Sequence, residues 1–576
     1  MFIDSRKLPK NELIQTEVCI VGAGPAGITL ARELIGQDFR VCLVESGDLE
    51  FNQQTQSLSE GETVGEPFPN LQDMRHRQFG GHANVWNVEI NQNQRGLRHM
   101  TLDEIDFEKR DCVPYSGWPF RKSHLDPYYE RAHEVCKLGP FTYDALSWED
   151  AQSPQLPFIG DRVATSMFQF GPRDIFTNEY RKQIDQSPNI TTYLNANVVE
   201  IETDETAKNV TRVRLACLDG NQFWIAAKMF ILATGGIENA RLLLLSNKIQ
   251  KTGLANQNDV VGRYFMDHPI LRSGMLYPSS RKIFNSTSLY DLRRVNNVPV
   301  MGKLHLSGQV IQREQLLNMS FILFPRDEKY KSAAKASAKT LFSAIRRGQL
   351  PKNAAQHLGN VITHVDELVS EWYKYQIKRE YLFPDLSYGG WSKHEGNENR
   401  YVKFEVVSQT EQVPNPDNRV TLSTKLDRLG CPQAHLTFKW SEIDICSIKR
   451  SQAILAEEIA RAGFGELQIE RDGELPMVLA FSTHHNMGTT RMHIDPKQGV
   501  VDANCQVHGI SNLFITGSSV FPTGGYANPT LTIIALAIRL ADHVKTRFAV
   551  KSENLTAKLE SSKIYAHKTL DHHQSQ

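Results

Sequence analysis

Residues 17–47, EVCIVGAGPAGITLARELIGQDFRVCLVESG, leave few folds open. A short apolar strand, Val18 to Val21, runs into Gly22-x-Gly24-x-x-Gly27. A helix from Ile28 to Ile35 follows, Gly36 ends it, and a second strand, Arg40 to Val44, stops at Glu45. Each piece has a physical role in holding a dinucleotide. Gly22 makes the tight turn, Gly24 lets the backbone approach a pyrophosphate, and Gly27 lets the helix pack closely on the strand. The free N–H groups and positive end of the helix favour phosphate charge. Glu45 is placed to accept hydrogen bonds from ribose hydroxyls, which disfavours a 2′-phosphorylated cofactor such as NADP. On this motif alone NAD and FAD stay open.

A second unit narrows the choice. MFILATGGIENARLLLLS (229–246) is a strand, a turn at Ala233-Thr234-Gly235-Gly236 and a helix. An NAD dehydrogenase does not need this second strand-to-glycine turn. Many flavoproteins do, because the strand returns beside the first and closes the dinucleotide site. The segment NITTYLNANVVEIETD (189–204) reads as a strand feeding the same region, with Val199 as a backbone contact to the adenine.

Bulk properties exclude other classes. Lys plus Arg and Asp plus Glu each number 65, so no global charge argues for nucleic acid or anionic membrane. The eight cysteines form no CxxC pair, which argues against a zinc ribbon or thioredoxin-type site, and no metal site is expected. Cys19 and Cys42, inside apolar runs, read as reduced core thiols. The N-terminus lacks the apolar run of a signal peptide, and no stretch has the length a transmembrane helix needs, so a cytoplasmic protein is expected. From about Lys551 the chain is polar and reads as a disordered tail.

Further motifs follow in order: RHRQFGGHANVW (75–86), ATGGIENARLLL (233–244), VGRYFMDHP (261–269), HHNMGTTRM (484–492) and NLFITGSSVFPTGGYANPTLTIIALAIRLADH (512–543). Together with GAGPAG and Glu45 they resemble the glucose–methanol–choline (GMC) oxidoreductases, closest to the bacterial and pyranose-oxidising members. The resemblance covers roughly half the chain and is weak over about 276 to 400, where this family varies its substrate site. It implies bound FAD, with Gly80, Gly81 and Asn84 along the isoalloxazine and pyrophosphate. Gly517 and Ser518 belong to a strand-and-turn against the flavin. Asn528, Pro529 and Thr530 would open a helix whose positive end faces the flavin's pyrimidine edge, with Asn528 as its N-cap. Some relatives attach FAD covalently through a histidine just before the tryptophan of the GG loop. Here Val85 holds that position and His82 follows the glycines, so non-covalent FAD is expected.

The same resemblance selects between two adjacent histidines. Counting back from Gly488-Thr489 in the family's His-x-x-Gly-Thr pattern gives His485 as the base and leaves His484 structural. The family's partner residue at the start of the last helix matches Asn528. The chemistry needs such a pair. Oxidation of an alcohol sends a hydride to flavin N5 and a hydroxyl proton to a base, and a neutral imidazole is basic at cellular pH. Asn528 can hold the hydroxyl in place. The expected activity is oxidation of a CH–OH group, with a sugar or glycoside as donor by resemblance. An apolar or aromatic alcohol, and a non-redox lyase retaining FAD structurally, are the alternatives. The electron acceptor, whether oxygen, quinone or redox protein, is not legible.

The expected architecture is a discontinuous Rossmann-like FAD-binding domain (1–275 and 476–549) interleaved with an α+β substrate domain (276–475) on an antiparallel sheet. Residues 405–440 supply strands of that sheet, and 447–464 a helix packed on it. The basic stretch 329–383 is expected to be helical and to form a lid or docking surface beside the substrate entrance. At 126–127, Asp126-Pro127 reads as a capped helix start.

Overall fold

The Leu13–Val21 strand lies between Val41–Val44 and Gln222–Leu232, parallel to both, with Val18 opposite Val41 and Met229. These coordinates are a computed structural model that describes residues 1–91, 93–328, 337–338, 340–341, 353–363, 365–366, 368–369 and 386–571, with side chains to residue 550. Ile190–Leu194 extends the sheet beyond Val41–Val44. Leu513–Ile515, from the far end of the chain, pairs in parallel with Gln222–Leu232. Among the described residues this sheet has eight strands. Val18, Cys19, Ile20, Phe230 and Ile231 are fully buried, as strands covered on both faces require. The Pro25–Glu33 helix packs against the Thr530–Asp571 helix.

Among the described residues a second, antiparallel sheet has ten strands and includes, in spatial order, Ile270–Pro278, Lys403–Thr410, Met319–Arg326, Val298–Leu306, Val163–Pro172 and Gln94–His99. The Glu442–Arg461 helix covers it, burying Ile448, Ile454 and Leu455 in one core with Leu271, Phe321 and Phe404. Ser441 starts that helix through a capping box with Asp444.

Several expectations change. The strands Val88–Asn91, Gln94–His99 and Val163–Pro172 belong to the antiparallel sheet, and the boundary at 275/276 falls inside Ile270–Pro278. The two layers are therefore more interleaved than the motif spacing suggests. Arg419–Leu426 and Pro432–Phe438 leave the large sheet and form a three-stranded sheet with Gly61–Gly65. Asp126 does not cap a helix, because the helix begins at Lys122 and carries Pro127 inside it. Asp126 instead accepts from Lys122 Nζ at 2.6 Å. The tail read as disordered is helical to Asp571, since 551–571 is rich in Lys, Glu, Leu and Ala and has neither Gly nor Pro to stop the preceding helix. Most of the 329–383 insertion lies outside the described residues. No helix among the described residues is long and apolar enough to cross a membrane.

Candidate active site

A cavity of about 560 Å³ runs from the Gly22–Gly24 turn to the start of the last helix. Its length is set by topology. The Gly22–Gly24 turn, Glu45 and the Ala233–Gly236 turn stand at the C-terminal ends of adjacent parallel strands, where open α/β sheets bind ligands. The antiparallel sheet contributes Val88, Leu97 and Arg98.

The residues present fit a dinucleotide. A Cβ built on Gly24 meets nothing within 4 Å, so the space beside the first helix turn is kept open by the absence of a side chain. Gly27 does a different job: a Cβ there would stand 1.9 Å from the Gly22 carbonyl oxygen, so this glycine serves helix–turn packing. Glu45 is buried and lines the cavity, its carboxylate already accepting from the backbone N–H groups of Ala23 at 2.9 Å and Gly47 at 2.8 Å. Those donors hold it in place while lone pairs remain for a ribose hydroxyl.

The cavity also takes in Gly81, Ala233, Gly517, Ser518, Pro529 and Thr530. Four expected contacts lie off it. Gly27 and Gly80 shape the two turns instead, Gly80 at φ +97 donating its N–H to Ala23 O at 2.8 Å. Asn84 spends its amide on the carbonyls of Phe79 (3.0 Å) and Gly81 (2.9 Å), so it braces the loop. Val199 gives way to Val198 and Ala196, because successive strand residues face opposite sides.

At the other end of the cavity His485 and Asn528 meet, with Asn528 Nδ2 3.3 Å from His485 Nε2. Asn528 does not cap the helix as expected. Its Oδ1 accepts from Arg98 Nε at 3.0 Å, and the Pro529 carbonyl starts the helix by accepting from Ile533 N. The loop carrying His485 is pinned by Asp267, whose carboxylate accepts from the N–H of His485 (3.2 Å) and Thr483 (3.1 Å) and from the Ser482 hydroxyl (2.7 Å). Burial raises the Asp267 carboxyl to about 6. Gly488 follows because a Cβ at its φ of +85 would sit 2.1 Å from the Tyr264 carbonyl oxygen.

The tautomer of His485 follows from its neighbours. Thr483 donates its hydroxyl to the His268 carbonyl at 3.0 Å, so its oxygen accepts from His485 Nδ1, 2.8 Å away. The proton is on Nδ1 and the lone pair on Nε2. His268 Nδ1 lies 3.0 Å from His485 Nδ1. Burial, then the neighbouring His268 and Arg98, hold His485 well below the usual imidazole range. Burial brings His268 to about 3. His484 and His82 also line the cavity, His484 Nδ1 standing 2.9 Å from His82 Nε2.

Sequence reasoning missed His268, Asp267, Thr483, Gln409 and Arg98. The DHP of VGRYFMDHP held the signal for two of them, since a carboxylate beside an imidazole is unusual in a buried run. Gln409 and Arg98 sit on strands with no motif.

A family model described as GMC oxidoreductase matches residues 414–537, and one described as pyridine nucleotide-disulphide oxidoreductase matches residues 16–275. The first spans His485 and Asn528, and the second spans the dinucleotide turn. The chain belongs to the GMC oxidoreductase family. This GMC chain is 28% identical over 357 residues to the fructose dehydrogenase large subunit of Gluconobacter japonicus, a match covering 61% of this chain and 53% of that one. It therefore spans about half the length of that relative. It is 24% identical over 595 residues to the 2-methyl-1,2-propanediol dehydrogenase of Mycolicibacterium austroafricanum, covering 93% and 96%. A fungal aryl-alcohol oxidase structure shares the fold at TM-score 0.52 and 14% identity, covering 94% of this chain and 100% of that one. The two relatives are named as dehydrogenases, one of a sugar and one of a small diol.

Proposed function

We propose that this enzyme oxidises a secondary or primary hydroxyl of a sugar or glycoside, with His485 as the base and Asn528 as the residue that orients the hydroxyl. The observation that carries the reading is the His485–Asn528 pair at the cavity wall, with an unprotonated Nε2 directed at the amide. Bound FAD supplies the hydride acceptor. His485 Nε2 takes the hydroxyl proton, and Thr483 and His268 keep the ring's own proton on the opposite nitrogen. Asn528 Nδ2 donates to the hydroxyl oxygen and so fixes the reacting carbon. His268 and Asn528 are buried, so a substrate seated here would leave little room for water at the reacting hydroxyl. Fructose dehydrogenase names a sugar, whereas the propanediol enzyme names a small diol, and the polar side chains of Arg98, Thr483, His484, His485 and Asn528 at the catalytic end favour the sugar.

FAD is held without a covalent bond in this reading. Val85 stands before Trp86, and His82 Nε2 is already engaged by His484. Denaturation in acid should release the yellow cofactor into the supernatant; colour that stays with the pellet refutes this. The reaction itself is tested by adding sugars, glycosides and simple alcohols to the anaerobic holoenzyme and following the flavin absorbance. Bleaching by a sugar supports the proposal, and readmitting oxygen then distinguishes an oxidase from a dehydrogenase. Bleaching only by apolar or aromatic alcohols refutes the sugar reading. A flavin that no alcohol reduces refutes the redox assignment.

A further inference from the structure

Arg98 is a buried cation at the catalytic end of the cavity, and among the described residues no carboxylate lies within ion-pair distance of it. An uncompensated buried charge is costly, so its position needs a reason. Its guanidinium packs over the Phe168 ring at 4.9 Å. Nε donates to Asn528 Oδ1 at 3.0 Å and Nη2 donates to Gln409 Oε1. Gln409 is held in turn, its Nε2 donating to the Tyr526 carbonyl at 2.6 Å and lying 3.3 Å from His268 Nδ1.

A guanidinium has only donors. It therefore decides which end of the Asn528 amide faces it. The oxygen must turn to Arg98, which leaves the NH₂ group facing His485 Nε2. If the amide were free to rotate, its oxygen could face Nε2 instead, and that pairing is favourable only when Nε2 is protonated. The base would then be spent. We propose that Arg98 is a positioning residue that fixes the orientation of the Asn528 amide and, with its charge, keeps His485 Nε2 unprotonated and ready to accept a proton.

The groups facing His485 all bear on its protonation. His268, His484 and His82 are imidazoles around it, and Arg98 is the nearest cation. Asp267 holds its backbone N–H, and Thr483 and Asn528 take its two ring nitrogens. Lys303, behind Tyr526 and brought down to about 7 by burial, is a further titratable group near Arg98. Removing Arg98 therefore removes a repulsive charge and the nearer donor to Asn528 Oδ1, leaving only the 3.5 Å contact from Gln409 Nε2, which Arg98 itself holds in place. Both losses favour the imidazolium.

This inference rests on His485 being the base, so His485→Ala is measured in parallel. Full turnover in that variant refutes the base assignment itself. With His485→Ala inactive, two flavin-loaded variants test Arg98. Arg98→Met is expected to lose about 10²-fold in kcat/KM and to move the acid limb of the pH profile up by about one unit. The same movement should appear in the pH dependence of the Kd of an unreactive alcohol, trifluoroethanol, read from perturbation of the flavin band. Arg98→Lys keeps the charge, but one ammonium cannot hold Oδ1 and Oε1 together as the planar fork does. It should lose about tenfold with the limb in place. An unmoved limb in Arg98→Met, or wild-type turnover in Arg98→Lys, overturns the proposal. If Arg98→Met does not retain flavin, Arg98→Lys decides alone by its turnover.

Discussion

Asn528 Nδ2 lies 3.3 Å from His485 Nε2, while Thr483 Oγ1 lies 2.8 Å from the other nitrogen of the same ring. The imidazole is thus defined at both ends by neighbours whose own hydrogen bonds leave them one role each. Thr483 can only accept, because its proton goes to the His268 carbonyl. Asn528 can only donate, because its oxygen goes to Arg98. The ring is neutral with a lone pair toward the cavity, the state a general base must have before reaction.

Replacing His485 by Ala should leave FAD bound and slow flavin reduction by substrate about 10² to 10⁴-fold. The Gly22–Gly24 turn and Glu45, which would hold the dinucleotide part of FAD, lie at the other end of the cavity, so the variant should retain its flavin. In the wild type the acid limb of kcat/KM should fall below the ordinary imidazole midpoint of about 6.5, because burial, His268 and Arg98 hold His485 down. A limb near 6.5 in the wild type contradicts this environment.

Asn528→Asp changes one group and tests the other side of the pair. The carboxylate would pair with Arg98 and present its second oxygen to Nε2, an acceptor where there was a donor. That oxygen stabilises the imidazolium, raising the His485 pKa. Activity at pH 7 should fall, and the acid limb should move up by about one to three units. Stopped-flow reduction across pH gives both numbers. Loss of activity with an unmoved limb would mean that Asn528 acts on substrate alone.

Gly24→Ala separates cofactor binding from folding. The added Cβ has nothing within 4 Å, and the residue's φ of −81 suits alanine, so the apoprotein should melt at the wild-type temperature. The methyl group would occupy the space that the pyrophosphate needs, so FAD retention should drop by at least tenfold. Gly27→Ala should instead destabilise the apoprotein, because its Cβ would overlap the Gly22 carbonyl oxygen. Equal FAD retention in Gly24→Ala and wild type contradicts the assigned cradle.

The strand–turn–helix at Val18–Ile35 was legible because each residue type there has one local job. The His485–Asn528 pair was legible only through family resemblance, since nothing in 43 residues of spacing says that the side chains meet. Arg98 and Gln409 were invisible for a different reason. They lie 311 residues apart on strands of the antiparallel sheet, and alternation along a strand tells which face a residue takes but not which strand lies opposite. Asn528 was misread as a cap because local propensity favours it there, and a long-range donor outcompeted the helix. Val88–Asn91, Gln94–His99 and Val163–Pro172 carry no motif either, so nothing in the sequence says that they join the antiparallel sheet.

Buried histidines should make the fold sensitive to acid, with a sign that can be worked out. Burial holds His99 down to about 3, against about 6.5 in an unfolded chain. Between those values the unfolded chain binds a proton that the folded protein does not, so this group's contribution weakens folding as pH falls through the window. Buried Asp267, Asp291 and Asp444, pushed up to about 6, act oppositely between about 4 and 6. The melting curve of the wild type therefore sums opposing effects, and a difference measurement is needed. His99→Gln removes one of them. Its side chain is buried and Nδ1 has no hydrogen-bond partner, so the neutral replacement costs some stability at pH 7. As pH falls from 7 to 4 the Tm of the variant should gain on that of the wild type, by roughly 1 °C for each kcal/mol of penalty removed in a protein of this size. A Tm difference that stays constant over this range would mean that His99 titrates alike in the folded and unfolded states, and that its burial is not felt as a charge penalty.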